Sequence, residues 1–375
     1  MLKKILFIAP LPPLEGGIPL HSQYLARSLK GLHATEVWAP LKSFPDFPYR
    51  GKSRFDNDSK SETGFSGLAD GGLSKMRILF RIISLEPRGY GAVLIPWWRV
   101  RWSIPTAGIA IIMKAKGVPV ALFCHDVYPK NGRSWERALS RFTIRQFTNI
   151  FVQTEAEFGL IRSFHPKSVC TILSHPAYPS PRPSVLGNSK PPESSDPLKV
   201  LFFGYIREYK GIETLLTAAA QVSSEKFHFH FVGEARDRDV AESIRTASQR
   251  QQNITYDLSY VSQSSLAKIF DASDLLVLPY SKATGSGVLA MAKGMRVPVI
   301  ISDSVDPGSA FSPGRDGQIF TSGDSAHLAS SLEEFRTNRD YFENCWADVK
   351  PDDEWSAMAR KLIDNLVHSS SGRCD

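Results

Sequence analysis

The chain has 375 residues, 42% of them hydrophobic and 22% charged, the balance of a soluble globular protein and enough chain for two domains of ordinary size. No apolar run reaches the length of about 18 residues that a transmembrane helix needs, and the longest, 104–113, carries the polar Thr106. Cys124, Cys170, Cys345 and Cys374 lie far apart with no C-x-x-C pair, which argues against a zinc site or a disulfide framework and suits a reducing cytosol.

Charge is unevenly spread. The whole chain has a net charge of +7, but residues 1–180 hold 24 Lys and Arg against 12 Asp and Glu, a net of +12, which leaves −5 for the remainder. A basic half can face an anionic membrane, a phosphorylated substrate or nucleic acid, or be ordinary solvated surface. No recognised nucleic-acid module accompanies it, so no nucleic-acid partner is expected.

From the N-terminus, residues 4–10 predict a buried strand. The apolar stretch 5–13 is followed by Glu15 without a small-residue cleavage site, unlike a signal peptide. Residues 19–30 have helical spacing, with Leu20, Tyr24, Leu25 and Leu29 on one side. Segment 43–75, rich in Ser, Gly, Asp and Lys, reads as a long mobile loop. Strands are predicted at 37–40, 92–97, 118–125 and 149–154, with helical stretches such as 134–147 between them. Continuous apolar runs indicate strands buried on both faces, hence a parallel sheet with helices on either side. Six prolines between 177 and 197 interrupt this rhythm and mark a linker. It resumes with strand 199–204, helix 211–222, strand 227–233, helix 239–248, strand 254–260, helix 262–270, strand 274–280, a helix from about Ser286, and strand 297–303. The expectation is an α/β chain of two doubly wound Rossmann-like domains facing across a cleft. Its parts are an N-terminal domain 1–180, a linker 181–197, a C-terminal domain 198–350, and a helix and tail 351–375 able to cross back to the first domain.

Four constellations carry chemistry. In 203–212, an apolar strand ends at Gly204, a short loop holds Arg207 and Lys210, and Gly211 opens a helix. Two cations beside a helix N-terminus suit a diphosphate, and a pair of solvated loop charges is the plain alternative. In 278–289, a strand runs into Thr284, Gly285, Ser286, Gly287 and Val288, small residues that let phosphate approach backbone N–H groups. A lone G-x-G is common in tight turns, but two such loops about 75 residues apart in one half-chain support each other. Gly16 and Gly17 follow the first strand, as a flexible turn or a place of close approach. His125 stands where an apolar strand leaves the sheet, where a catalytic role competes with structural hydrogen bonding.

Further features divide. Asp56 and Asp58, and Asp237 and Asp239, each spell D-x-D, which can hold a divalent cation beside a diphosphate. Asp237 and Asp239 read more simply as a helix cap, and no metal site is expected. Trp97, Trp98 and Trp102 alternate with Arg99 and Arg101, downstream of Lys75, Arg77, Arg81 and Arg88. That mixture suits an anionic membrane interface, and equally tryptophans packed inside a domain under solvated charges.

The chain resembles a bacterial branch of the family 4 glycosyltransferases of GT-B fold over nearly its whole length. The resemblance rests on Phe-Phe-Gly-Tyr-Ile-Arg-Glu-Tyr-Lys-Gly (202–211), Ala-Ser-Asp-Leu-Leu-Val-Leu-Pro-Tyr (272–280) and Gly-Ser-Gly-Val (285–288). Trp97-Trp98, His125-Asp126 with Pro129, and Gly16-Gly17-Ile18 add to it. It implies a C-terminal domain that binds a nucleotide diphosphate sugar and an N-terminal domain that binds a glycan or glycolipid acceptor. Arg207 and Lys210 would grip the diphosphate, His125 would lie near the transferred sugar, and Gly16 and Gly17 would line the acceptor side. It further implies hexosyl transfer with retention and no cofactor, since those cations replace a metal, while the cysteine usage and the basic first half suit a cytoplasmic location that can be peripheral at the inner membrane face. Much of the family has two Glu residues eight positions apart after the 274–280 strand. The aligned positions here are Ser281 and Leu289, so the ribose contact of the second Glu is unassigned. A nucleotide-sugar epimerase and a non-catalytic binding or scaffold protein are the alternative readings.

Overall fold

The structure is a computed structural model that describes residues 3–12, 14, 16–39, 81–129, 132–180, 196–282, 285–308, 311–342 and 345–371. The 43–75 loop, Asp56, Asp58, Thr284, Cys374 and most of the 181–197 linker lie outside those residues.

Contacts divide the chain into two compact units, residues 1–174 with 355–375, and residues 175–354. The first unit holds strands β1 (Lys4–Ile8), β2 (Thr35–Trp38), β3 (Tyr90–Trp97), β4 (Val120–Cys124), β5 (Asn149–Val152) and β6 (Val169–Ile172), in the order 2-1-3-4-5-6 with every pairing parallel. The second holds β7 (Leu198–Phe203), β8 (Phe227–Val232), β9 (Ile254–Asp257), β10 (Leu275–Leu278), β11 (Val299–Ser302) and β12 (Gly317–Phe320), in the order 12-11-10-7-8-9, again all parallel. Central strands are buried at every residue, as in β4, β10 and β11, because helices cover both faces. The edge strands β6 and β9 lose that burial, with patterns of mostly exposed or half-buried residues.

The helices form where apolar residues recur at helical spacing. Helix Gly17–Leu32 buries Leu20, Leu25, Ala26 and Leu29. Helix Ile212–Ala219 buries Ile212, Leu215, Leu216, Ala218 and Ala219. Each unit has its own core, centred on Leu6, Val93, Val120 and Ile150 in the first and on Val200, Phe229, Leu276 and Ile300 in the second. Boundary residues 175–180 pack with the second unit: Tyr178 N–H donates to the Ala290 carbonyl at 3.1 Å, and a Cβ on Gly294 would stand 1.7 Å from the Tyr178 carbonyl oxygen. The last helix, Pro351–Ser371, packs mainly with the first unit. There Trp355 stacks on Tyr24, and Lys361 Nζ donates to the Ile172 carbonyl at 2.9 Å.

Most strands are one to three residues shorter than their apolar runs predict, because the last residues of each run leave the ladder to enter a loop. Strands β6 and β12, and helices Glu155–Phe164 and Ser325–Thr337, went unpredicted. Asp237 does not cap its helix Arg238–Arg250 through its side chain. Its carboxylate instead accepts from the Glu208 backbone N–H at 2.8 Å, tying the loops after β7 and β8 together. No helix among the described residues is long and apolar enough to cross a membrane.

Candidate functional site

In the second sheet, chain order reverses between β7 and β10, because β8 and β9 are laid on one side of β7 and β10 to β12 on the other. The carboxyl ends of strands at such a reversal are where doubly wound sheets bind their ligands. Both glycine-rich constellations of this unit sit at that point.

After β7, Gly204 has φ 125° and a Cβ built on it would lie 3.5 Å from Val288 Cγ2. Residue 204 and the first turn of helix Gly287–Met295 are therefore neighbours. A single 3-10 turn, Glu208–Lys210, leads to Gly211, whose φ of 67° lets the chain enter helix Ile212–Ala219. A side chain at 211 is excluded twice, by that left-handed backbone and by the Pro279 carbonyl oxygen 1.7 Å from its would-be Cβ. The Ser281 N–H donates to the Tyr209 carbonyl at 2.9 Å and binds the two loops to each other.

Lys210 Nζ lies 3.5 Å from the centroid of the Tyr280 ring, which is 1% exposed. A ring face holds an ammonium without neutralising it. Arg207 and Arg236 both lie over the Tyr205 ring, at 5.9 and 4.9 Å, and Arg236 also pairs with Glu234 at 2.8 Å. Ser286 caps helix Gly287–Met295 by accepting from the Leu289 N–H at 3.3 Å. Gly285 and Gly287 are half-exposed beside it. The helix N-terminus, Arg207 and Lys210 thus share the carboxyl-end region of β7 and β10, an arrangement able to stabilise an anion.

Of the two family Glu positions, Ser281 is exposed and engaged with Tyr209, while Leu289 is 4% exposed in the hydrophobic core. A carboxylate at 289 would replace a core side chain. Three neighbours of the site went unnoticed in the sequence. The loop 233–236 after β8 follows the same pattern of apolar strand then glycine that marked Gly204. Tyr280 was legible as the end of a strand and of the 272–280 motif, but not as the partner of Lys210. His175 is 3.8 Å by Nε2 from the would-be Cβ of Gly287. Burial pushes its pKa down to about 4, the Pro176 carbonyl opposing this and the Lys293 charge adding to it.

In the first unit, strand order reverses between β1 and β3. Gly16 follows β1 with φ 123°, and Gly17 is exposed with open space where its Cβ would stand. His125 follows β4, is half-buried, and its backbone N–H donates to the Trp97 carbonyl at 2.8 Å. Its ring meets that of His21 edge to face at 4.6 Å, and His21 in turn meets Trp355 at 5.0 Å. His21, on the buried face of its helix, gave no signal beyond being a histidine near a glycine turn.

The tryptophan cluster needs correction. Trp97 is 1% exposed and lies in the core, because it is the last residue of β3. It is no membrane contact. Trp98 and Trp102 are half-buried against each other at 6.0 Å, and Trp102 packs on the same core. Arg99 and Arg101 are exposed.

A family model described as "Glycosyl transferases group 1" matches residues 197–338, the span that holds both loops of the second unit. The chain is 30% identical over 238 residues to a GDP-mannose:glycolipid 4-beta-D-mannosyltransferase of Xanthomonas campestris pv. campestris. That match covers 60% of this chain and 63% of the relative, so the chain spans less than two thirds of the relative's length. HepE of Anabaena, solved in complex with UDP, has a TM-score of 0.68 at 14% identity, covering 98% of this chain and 100% of that one. Sucrose-phosphate synthase of Thermosynechococcus elongatus has a TM-score of 0.68 at 14% identity, covering 99% and 100%. At those identities the likeness shows the fold, which is GT-B as the resemblance implied.

Proposed function

We propose that the protein is a glycosyltransferase that moves a hexosyl group from a nucleotide diphosphate sugar to a hydroxyl of a lipid-linked saccharide. The observation that carries this reading is the juxtaposition of Arg207, Lys210 and the Gly285 to Val288 turn at the strand-order reversal of the second sheet. The family match over 197–338 and the glycolipid named as the Xanthomonas relative's acceptor support it.

The reaction forms a bond from the acceptor oxygen to the sugar's anomeric carbon and breaks the bond from that carbon to the diphosphate, which leaves with the electron pair. Negative charge grows on the leaving diphosphate. Arg207, Lys210 and the N–H groups at the start of helix Gly287–Met295 stabilise that charge, and their fixed positions mean little reorganisation at the moment of transfer. With two protein cations and a helix terminus in that role, no metal is required.

Retention is the outcome that the family resemblance supports. The leaving diphosphate oxygen then accepts the acceptor's proton, and no carboxylate pair of the kind used by retaining glycosidases is needed. A second reading has support from the Xanthomonas relative, whose name records a β-D-mannosyl product. A β product from an α-linked nucleotide sugar is inversion, which needs a base, and His125 is the candidate.

Incubation with a panel of nucleotide sugars and a lipid-linked saccharide, following nucleotide release, tests the activity. Silence with every donor favours a binding or scaffold protein. The anomeric configuration of the product, read by NMR, separates the two stereochemical readings. In either case His125→Ala lowers kcat more than it weakens nucleotide affinity, and an unchanged kcat removes His125 from the reaction.

A further inference from the structure

Helix Ser103–Ala115 contains a single charged residue, Lys114. Its inner face is covered, with Ile109, Ala110 and Met113 buried in the core of the first unit. Its outer face is also apolar. Ile104 is 77% exposed and Ile111, two turns further on, is 49% exposed. A helix apolar all round belongs in a protein interior or against lipid. The adjoining helix, Ser134–Ile144, repeats the pattern with Trp135 at 57% and Phe142 at 52% exposure, again two turns apart. These four residues are among only eleven large hydrophobics that stand exposed among the described residues, so the clustering is not random scatter. Val100, Ile104, Trp135 and Leu139 line one open hollow, with Arg101 and Arg133 among its walls.

Charge selects what this face meets. Residues 99–145 hold nine Lys and Arg against two acidic residues, Asp126 and Glu136. Arg99, Arg101, Arg133, Arg137 and Arg141 are exposed, whereas Glu136 is half-buried and turned back to accept from the Arg133 N–H at 2.7 Å. Apolar side chains ringed by arginines match an anionic bilayer, whose phosphates meet the arginines while its acyl boundary takes the apolar tips. Two copies of this face would instead bring like charges together.

We propose that this face, formed by helices Ser103–Ala115 and Ser134–Ile144, docks the protein on an anionic lipid surface. Ile104, Ile111, Trp135 and Phe142 enter the boundary between headgroups and acyl chains. Arg101, Arg133 and Arg137 contact lipid phosphates. The interface therefore lies on these two helices and not on the tryptophan run around Trp97. The inference stands on the surface of the first unit and is independent of the transferase reading.

Flotation of the full chain with vesicles of phosphatidylcholine alone, or mixed with phosphatidylglycerol, at low and physiological ionic strength tests it without any turnover assay. Unchanged protein floats with the anionic vesicles, and less so as salt screens the arginines. The I104S/W135S and R101E/R133E/R137E variants each lose about tenfold or more of the floated fraction, while their circular dichroism melts match the parent because every replaced residue is at the surface. Should the serine variant fail to fold, the charge-reversal variant decides alone. Absence of flotation with anionic vesicles at low salt overturns the proposal. So does flotation that both variants retain. Self-association on a sizing column that the serine variant abolishes, without flotation, would make a second copy the occupant and equally overturn it.

Discussion

Lys210 and Tyr280 show how one contact can keep a charge and restrict it together. The ammonium lies 3.5 Å from the centre of a ring that is itself buried. Its direction is limited, and a ring face, unlike a carboxylate, does not cancel the positive charge. Replacing Arg207 or Lys210 by Ala should each cost about 2–4 kcal/mol in kcat/KM, measured with the donor varied. Tyr280→Phe keeps the ring face and should stay near parent activity. Tyr280→Leu removes it and should raise the donor KM by a factor of about 2–30. Equal behaviour of the two Tyr280 variants would show that the ring does not position Lys210. The two cations were legible in the sequence because they stand between an apolar strand and a glycine. Tyr280 was not, since its partner lies 70 positions away and only the parallel pairing of β7 with β10 brings them together.

Helix Gly287–Met295 joins the candidate donor site to a pH-sensitive neighbour. His175 is half-buried beside its first turn, with a pKa pushed down to about 4 from an ordinary 6.5, first by loss of solvent. Between those two values the unfolded chain binds more protons than the folded one, so stability rises with pH there. Acidification from about 6.5 towards about 4 should therefore remove on the order of 3 kcal/mol from the second unit, while above pH 7 this residue contributes no slope. Urea unfolding at pH 7 and pH 4.5 measures this, and His175→Gln should flatten the difference. An equal difference in the variant would assign the acid sensitivity elsewhere. At this scale the strands and helices were largely legible, since β4, β10 and β11 are uninterrupted apolar runs. The short edge strand β6, with no fully buried residue, carries too weak an apolar signal to stand out from a loop.

For the whole molecule, each unit has its own sheet and core, so a ligand of one should show in that unit's unfolding. A nucleoside diphosphate at one hundred times its Kd should stabilise the second unit by about 2.7 kcal/mol, seen as a raised Tm. The shift should persist in EDTA and vanish in a Lys210→Ala, Arg207→Ala double variant. A shift lost in EDTA and restored by Mn²⁺ would instead require a metal. The sequence alone determined that the chain is a pair of doubly wound α/β domains, because apolar period, glycine and proline are local properties of the chain. It also determined Gly204, Arg207, Lys210 and the Gly285 to Val288 turn as candidates, because each stands at a strand exit. Only the tertiary structure decided that Trp97 is core while Trp135 is surface, since the burial of a tryptophan depends on which elements cover it. It alone also decided that Asp237 ties two loops together and that Leu289 is core where relatives of the resembled family carry Glu. Those outcomes are set by neighbours distant in sequence, which parallel strand order, and not local propensity, brings within reach.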